Sequence, residues 1–298
     1  MKIALIGYGE VGRILAEDLV SQGHGVVAYD VKLEGGSGNA LRAHAAKLGV
    51  ALAASHAQAV QQSELVISAV TASQAVPVAE AVAPALVKGA YVLDFNSASP
   101  GAKIRAAAIV NAAGGRYVEG AVMTSIRPYR IKVPLLLGGP DAAALQPLLA
   151  QLGFAAKVAS DQLGVASATK MCRSVMIKGL EAMVIESFTA ARHYGVEDAV
   201  IASLYETFPG IDWEQHAAGF FRRVIEHGRR RSEEMFEVAV TVREAGLVPH
   251  SAAGTAERQA WVADLADAGL FGERGGKDFA SSADWRVEAD RILGEVKR

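Results

Sequence analysis

The segment Gly7-Tyr8-Gly9-Glu10-Val11-Gly12 constrains this chain more than any other, because it fits G-x-G-x-x-G at the end of an apolar run. Lys2–Ile6 reads as a buried strand and Val11–Gln22 as an amphipathic helix, so the glycines fall at a strand-to-helix turn. There the first glycine permits a tight turn, the second lets a pyrophosphate approach the backbone, and the third allows close helix–strand packing. The phosphates would sit on free N–H groups at the helix N-terminus, where the helix dipole favours anions. The residues Gly7, Tyr8, Gly9, Glu10, Val11 and Gly12 are therefore the expected cradle of a dinucleotide. Gly25–Asp30 reads as a second strand, and Asp30 closes it 18 residues after Gly12. A carboxylate about 20 residues beyond the motif bonds ribose hydroxyls. It would also repel the 2′-phosphate of NADP, so NAD is the expected cofactor. Lys32 and Arg42 are near enough in sequence to supply a compensating cation, which leaves NADP open.

The first half of the chain continues in the same alternation. Asn39–Leu48 suits a helix, Leu65–Val70, Tyr91–Phe95 and Arg116–Glu119 suit strands, and Val133–Leu137 is a late strand ending at Gly138-Gly139-Pro140. Asp141–Leu152 reads as a helix capped by its own aspartate. Strands alternating with helices imply a doubly wound parallel sheet of the Rossmann type, covered on both faces, which explains the unbroken apolar runs. After about Ser160 the pattern becomes helical, beginning with a proline-free stretch from Asp161 to Tyr194 that could form one long helix. Glu197–Tyr205, Trp213–Glu226, Arg229–Ala245, Ala252–Ala268 and Ser282–Val296 follow as helices. The expected organisation is an α/β dinucleotide-binding domain over 1–160 and an all-α domain over 161–298 that starts with the long helix 161–194. Helical packing of that kind suggests a homodimer.

Composition narrows the function classes. A formal charge of −2 over 298 residues gives no electrostatic footprint for nucleic acid or an anionic membrane. The N-terminal apolar run ends at Gly7 after four residues, too short for a secretory signal, and Ala72–Leu93 carries Glu80, Lys88, Pro77 and Pro84, which exclude a lipid-spanning helix. With a single cysteine, Cys172, a disulfide framework is excluded, and the expected location is the cytoplasm. The seven histidines show no H-x-x-x-H pair, so no metal site is expected; neither G-x-S-x-G nor a P-loop is present.

Two polar segments stand out against this background. Asp94-Phe95-Asn96-Ser97-Ala98-Ser99-Pro100 follows a strand, and the carboxyl ends of strands in an open sheet face the ligand crevice. The same residues suit an ordinary turn in which Ser97 or Ser99 caps a helix with Pro100 at its first position. Val70 and Thr71 end an earlier strand and would line the cofactor path. The second segment, Gly164 to Ser174, places Lys170 one turn beyond small residues, with Arg173 and Ser174 on its face. Apolar neighbours suggest a helix buried nearly all round, which would push the Lys170 amine down toward the range of a proton-transfer group. Cys172 then reads as a small core residue.

Together these segments resemble the β-hydroxyacid dehydrogenase superfamily, which includes 3-hydroxyisobutyrate dehydrogenase and 6-phosphogluconate dehydrogenase, over roughly Met1 to Tyr194. The family's D-x-S-T-x-x-P corresponds to residues 94–100, and the lysine of its G-x(5)-K-x-x-N falls on Lys170. The resemblance implies that Lys170 is the general acid/base, that Ser97 and Asn96 orient substrate beside the cofactor, and that the substrate is a small molecule with a carboxylate. The family's D-A-P-V-S-G-G loop corresponds to Glu119–Ser125, so Met123, Thr124 and Ser125 replace its S-G-G, and Arg173 stands where the family has asparagine. These departures point to a different substrate. They also motivate an alternative, a cofactor-binding protein of this fold without turnover. Imine reductases share the scaffold, but usually lack the lysine. The second half resembles a branch with an unassigned helical domain, marked by His227-Gly228-Arg229-Arg230-Arg231 and Glu244–Pro249. Its arginines suit either an anion or a face paired with Glu233 and Glu234.

Overall fold

The computed structural model describes residues 1–274, 276–277, 279–280 and 282–296. They form two compact units, Met1–Met171 and Cys172–Arg298. In chain order the first contains β1 (Lys2–Ile6), α1 (Glu10–Ser21), β2 (Gly25–Tyr29), α2 (Asn39–Leu48), β3 (Ala51–Leu52), α3 (His56–Val60), β4 (Leu65–Ser68), α4 (Ala75–Val82), β5 (Tyr91–Asp94), α5 (Pro100–Ala112), β6 (Arg116–Val122), β7 (Leu135–Gly138), α6 (Ala142–Gln151) and β8 (Ala156–Ser160). The strands make one sheet in the order β3-β2-β1-β4-β5-β6-β7-β8. The chain winds outward from β1 in one direction to β3 and in the other from β4, so the order reverses between β1 and β4. That switch point is where an open sheet leaves a crevice beyond its strand ends. Ile3, Leu5, Leu65, Ile67 and Leu93 are almost wholly buried, as the uninterrupted apolar runs require. The fold is thus the Rossmann-type sheet that the glycine turn implied, followed by a helical region.

Several expectations are corrected. The sheet is not wholly parallel: β7 runs antiparallel to β6, with Glu119 opposite Gly138. The connection 123–134 holds a single 3-10 turn, Arg130–Lys132, and lacks the crossover helix that parallel neighbours normally need. Asp141 does not cap α6 with its side chain; its Oδ1 accepts from Arg116 Nε at 2.7 Å instead. The edge strands β3, of 2 residues, and β8, of 5, add to the strands expected from the sequence. The long helix α7 (Val165–Tyr194) begins after a turn that ends at Gly164, whose φ of +92° is in the region open to glycine.

Beyond α7 the second unit contains α8 (Glu197–Thr207), α9 (Trp213–Glu244), α10 (His250–Asp267) and α11 (Trp285–Val296). Where two helices were expected over 213–245 there is one of 32 residues. Gly228 does not break it: a Cβ at Gly228 would lie 2.8 Å from the Gln259 carbonyl oxygen and 3.3 Å from Ala263 Cβ, so this glycine lets α9 meet α10 closely. Trp213, Phe220 and Phe221 are buried, and Phe188 meets Trp285 at a ring separation of 5.0 Å. The helix α7 is not buried all round. Cys172 is exposed, Met176 is 71% exposed and Met183 60%, because only the face carrying Met171, Ser174 and Lys178 packs inward. Cys172 is therefore no core residue. Among the described residues no helix is long and apolar enough to cross a membrane.

Candidate functional site

The glycine turn is built for close approach. Gly7 has φ +94°, and a Cβ on it would lie 2.4 Å from the Ala69 carbonyl oxygen and 3.0 Å from Val70 Cγ1. A Cβ on Gly12 would lie 2.1 Å from the Gly7 carbonyl oxygen, so the first turn of α1 packs directly on the loop. Around Gly9, by contrast, a Cβ would meet nothing within 4 Å, and Gly9 starts α1 without a side-chain cap. The uncapped helix start beside open space is the fit a pyrophosphate needs. Tyr8 is buried, and burial pushes its hydroxyl up to about 12. Its oxygen meets His44 Nδ1 at 3.0 Å, and His44 Nε2 meets Glu17 at 2.9 Å. Glu10, at the first position of α1, is exposed and takes Arg127 in a two-point contact of 2.5 and 3.3 Å.

Asp30 stands at the end of β2. Its Oδ2 accepts from the Tyr8 backbone N–H at 2.8 Å and its Oδ1 from the Lys32 N–H at 2.9 Å. The carboxylate is thereby fixed beside the glycine turn. The guanidinium of Arg42 donates to the Leu33 and Gly35 carbonyls and to Asn39 Oδ1, so it braces the 31–39 segment.

At the end of β5, the side chain of Asn96 is 4% exposed and uses both ends of its amide inside the protein: Oδ1 accepts from the Val70 N–H at 2.7 Å and Nδ2 donates to Ser68 Oγ at 2.9 Å. Asn96 thus clamps the ends of β4 and β5 together and sets the backbone of Val70, next to which Thr71 opens a short 3-10 turn. Ser99 caps α5, its Oγ accepting from the Ala102 N–H, with Pro100 at the first turn. Ser97 is not the cap. Its Oγ, half-buried, receives Lys170 Nζ at 2.6 Å. Residues 73 apart are thereby joined at the carboxyl end of the sheet, next to the clamp that holds Val70.

Other expected residues are placed more loosely. Met123 is tied to the Pro134 carbonyl through its N–H at 2.9 Å, while Thr124 and Ser125 are exposed in the connection after β6. Arg173 is exposed and Ser174 buried, both in the second unit. The arginine run disperses among acids: Arg229 meets Asp264 and Asp267, Arg230 meets Glu234 at 2.5 Å, and Arg231 meets the buried Glu181. That is the paired arrangement, although only Glu234 is one of the two partners expected from the spacing.

Two buried groups escaped the sequence reading. Asp94 and Lys103 form an ion pair at 3.2 Å with both side chains out of solvent, and Tyr117 donates to Asp94 Oδ2 at 2.6 Å. Burial, then the neighbouring Asp94, holds the Tyr117 hydroxyl well above its usual range. Asp94 Oδ1 also accepts from the Asn96 N–H at 2.8 Å, so this trio supports the turn bearing Ser97. Glu119 is wholly buried on β6 and accepts three hydrogen bonds from the start of α7. Sequence distance hid both, since their partners lie up to 48 residues away.

Comparison with known proteins agrees with this geometry. Residues 2–159 match the NAD binding domain of 6-phosphogluconate dehydrogenase, and residues 191–262 match a domain of unknown function, DUF1932. An uncharacterised 28.5 kDa protein of Methanothermus fervidus, from the 7S RNA 5′ region, is 30% identical over 253 residues, which is 84% of this chain and 94% of that one. A solved structure of a conserved hypothetical protein from Sinorhizobium meliloti 1021 is 34% identical with a TM-score of 0.77, covering 99% of this chain and 96% of that one. A second solved structure, a conserved protein described as structurally similar to 3-hydroxyacid dehydrogenases, is 28% identical with a TM-score of 0.69, covering 89% of this chain and 99% of that one. With the glycine cradle, the Asp30 anchor and a family match over more than half its length, this chain belongs to the family that carries the NAD-binding domain of 6-phosphogluconate dehydrogenase.

Proposed function

We propose that the chain is an oxidoreductase that interconverts a small β-hydroxy acid and its oxo form, with NAD as cofactor and Lys170 as general acid/base. The contact of 2.6 Å between Lys170 Nζ and Ser97 Oγ carries this reading, because it puts a proton-transfer group and a hydroxyl together at the carboxyl edge of a dinucleotide-binding sheet. The likeness drawn for the 28% identical structure to 3-hydroxyacid dehydrogenases supports the same substrate class.

A bound nicotinamide cofactor would supply the hydride acceptor or donor for the substrate carbon that bears the hydroxyl. In the oxidative direction the Lys170 amine takes the hydroxyl proton, and in reduction it returns it. Ser97 holds the amine in line and orients the same hydroxyl. Asn96 acts through Val70, whose backbone N–H it holds along the cofactor path next to Thr71. Gly7–Gly12 would hold the pyrophosphate, and Asp30 would hold the ribose hydroxyls. Because Arg42 is committed to the carbonyls of its own segment, it leaves Asp30 to disfavour a 2′-phosphate, which supports NAD over NADP. Met123, Thr124 and Ser125, in the connection after β6, are the proposed carboxylate contacts.

We extend the proposal to the division of labour, with a cofactor domain ending near residue 160 and a helical domain over 161–298 that dimerises. The exposed Met176, Met183 and Tyr194 along α7 support a second copy as the occupant of that face. The exposed, unpaired Cys172 suits a reducing compartment such as the cytoplasm. A screen of small β-hydroxy and β-oxo acids, following nicotinamide absorbance, tests the function. Turnover that needs Lys170 supports it; tight NADH binding without turnover on any acid favours the non-catalytic alternative.

A further inference from the structure

We infer that Glu119 is a positioning residue that sets Lys170 by holding the first turn of α7. The inference rests on the reading of Lys170 as acid/base for its functional meaning, but not for its structural content. Glu119 Oε1 accepts from the Gly164 N–H at 3.0 Å and the Ala166 N–H at 2.9 Å, and Oε2 accepts from Ser167 Oγ at 2.8 Å. Ser167 Oγ in turn lies 3.1 Å from the Gly164 carbonyl oxygen, which closes the turn on itself. A helix start needs acceptors for N–H groups that have no partner within the helix, and a carboxyl group also complements the positive end of its dipole. Here the acceptor comes from the sheet, not from a local cap.

The cradle is specific to this arrangement. Gly138 lies opposite Glu119 on β7, and a Cβ there would be 2.2 Å from Glu119 Oε1. Any side chain at 138 would therefore displace the carboxyl group. Ala166 and Ser167 lie four and three residues before Lys170, so their turn supports the face from which Lys170 projects toward Ser97. Asn96, Asp94 and Lys103 hold the Ser97 side of the contact, and Glu119 holds the Lys170 side. The lysine needs both ends fixed, because its stem is long and freely rotating.

The test compares full-length Glu119→Ala, Glu119→Gln and Ser167→Ala with the unaltered chain. The rate of acetylation of Lys170 is read by peptide mass spectrometry over a pH series and extrapolated to the neutral amine, and NADH affinity is read by fluorescence. In Glu119→Ala the lysine should react about fivefold faster, what the loss of one net hydrogen bond allows. NADH affinity should stay within about twofold, since the glycine turn is untouched. Glu119→Gln keeps an acceptor for both N–H groups and should restore the slow rate; Ser167→Ala should lie between. Unchanged Lys170 reactivity in Glu119→Ala, or failure of Gln to restore it, overturns the inference. If Glu119→Ala does not fold, unchanged reactivity in Ser167→Ala does so as well. On a turned-over acid, kcat should fall in Glu119→Ala with the cofactor KM unmoved. If the unaltered chain turns over no acid, the proposed reaction falls, while the labelling still decides whether Glu119 places Lys170.

Discussion

The Tyr8 backbone N–H donates to Asp30 Oδ2 at 2.8 Å, so the middle of the glycine turn and the end of β2 are one mechanical unit. A ribose bound at Asp30 and a pyrophosphate bound at α1 are thereby held in fixed relation. Replacing Asp30 with Asn removes the charge and leaves one good acceptor where two N–H groups are served. The unaltered chain should bind NADH about tenfold or more tightly than NADPH, an energy of the size of one charge-assisted hydrogen bond. Asp30→Asn should narrow that ratio, mainly by weakening NADH. Fluorescence titration with both cofactors checks this, and an unaltered ratio would contradict it.

Gly9 and Gly12 should separate binding from folding. A methyl group on Gly9 meets nothing in the protein but occupies the space left for phosphate, so Gly9→Ala should keep its melting temperature and lose NADH affinity. On Gly12 the same methyl group meets the Gly7 carbonyl at 2.1 Å. Gly12→Ala should therefore cost about 1–3 kcal/mol of stability, as overpacking does, along with cofactor affinity. Thermal melts beside titrations distinguish the two.

Glu17 supplies a pH test. Its hydrogen bond to His44, then that to Arg130, holds its carboxyl below the ordinary value of 4.5. Between the depressed value and 4.5 the unfolded chain binds more protons than the folded one, so stability rises with pH across that window. The contribution is complete above 4.5 and is lost as pH falls through the depressed value. The group is partly exposed, so the effect should be no more than about 1 kcal/mol. Melts of the unaltered chain should exceed those of Glu17→Gln at neutral pH and converge with them as the pH falls below the depressed value. A gap that persists in acid would contradict the assignment.

How much of this was legible follows from where each signal lies along the chain. The turn from β1 to α1 is written in adjacent residues, since Gly12 packs on the nearby Gly7 carbonyl and Asp30 follows at a fixed offset, whereas the contacts of Gly7 with Ala69 and Val70 are set by the fold. Lys170 and Ser97 each stand out within their own segments, and the family resemblance gives them roles, but their contact spans 73 residues and is set by the fold. The direction of β7 was not legible, because Leu135–Gly138 is apolar whichever way it runs, and its hand is set by the connection before it. Cys172 was misplaced since alternating small and apolar residues on α7 do not reveal which face packs. Glu119 looked like one residue of a substrate loop, whereas its partners at 164–167 are set by the fold.

Gly228 offers a test confined to the second unit. It lies between the two helices expected over 213–226 and 229–245, yet sits inside the single helix α9 against Gln259 and Ala263 of α10. Gly228→Leu should destabilise the helical unit by roughly 1–3 kcal/mol. NADH affinity should stay near that of the unaltered chain, because the glycine turn belongs to the other unit. Denaturant melts followed by tryptophan fluorescence report on the helical unit directly, through Trp213, Trp261 and Trp285. An undisturbed transition would contradict the close contact.

Lys170→Met tests the central claim most directly. The substitution keeps a long side chain and removes the amine. Steady-state turnover of a β-hydroxy acid accepted by the unaltered chain should fall by at least the roughly 10²–10⁴-fold that general acid–base catalysis contributes. NADH affinity and the melting temperature should stay near those of the unaltered chain. Turnover that survives Lys170→Met at its original rate, with cofactor binding intact, would contradict the assignment of Lys170 as acid/base.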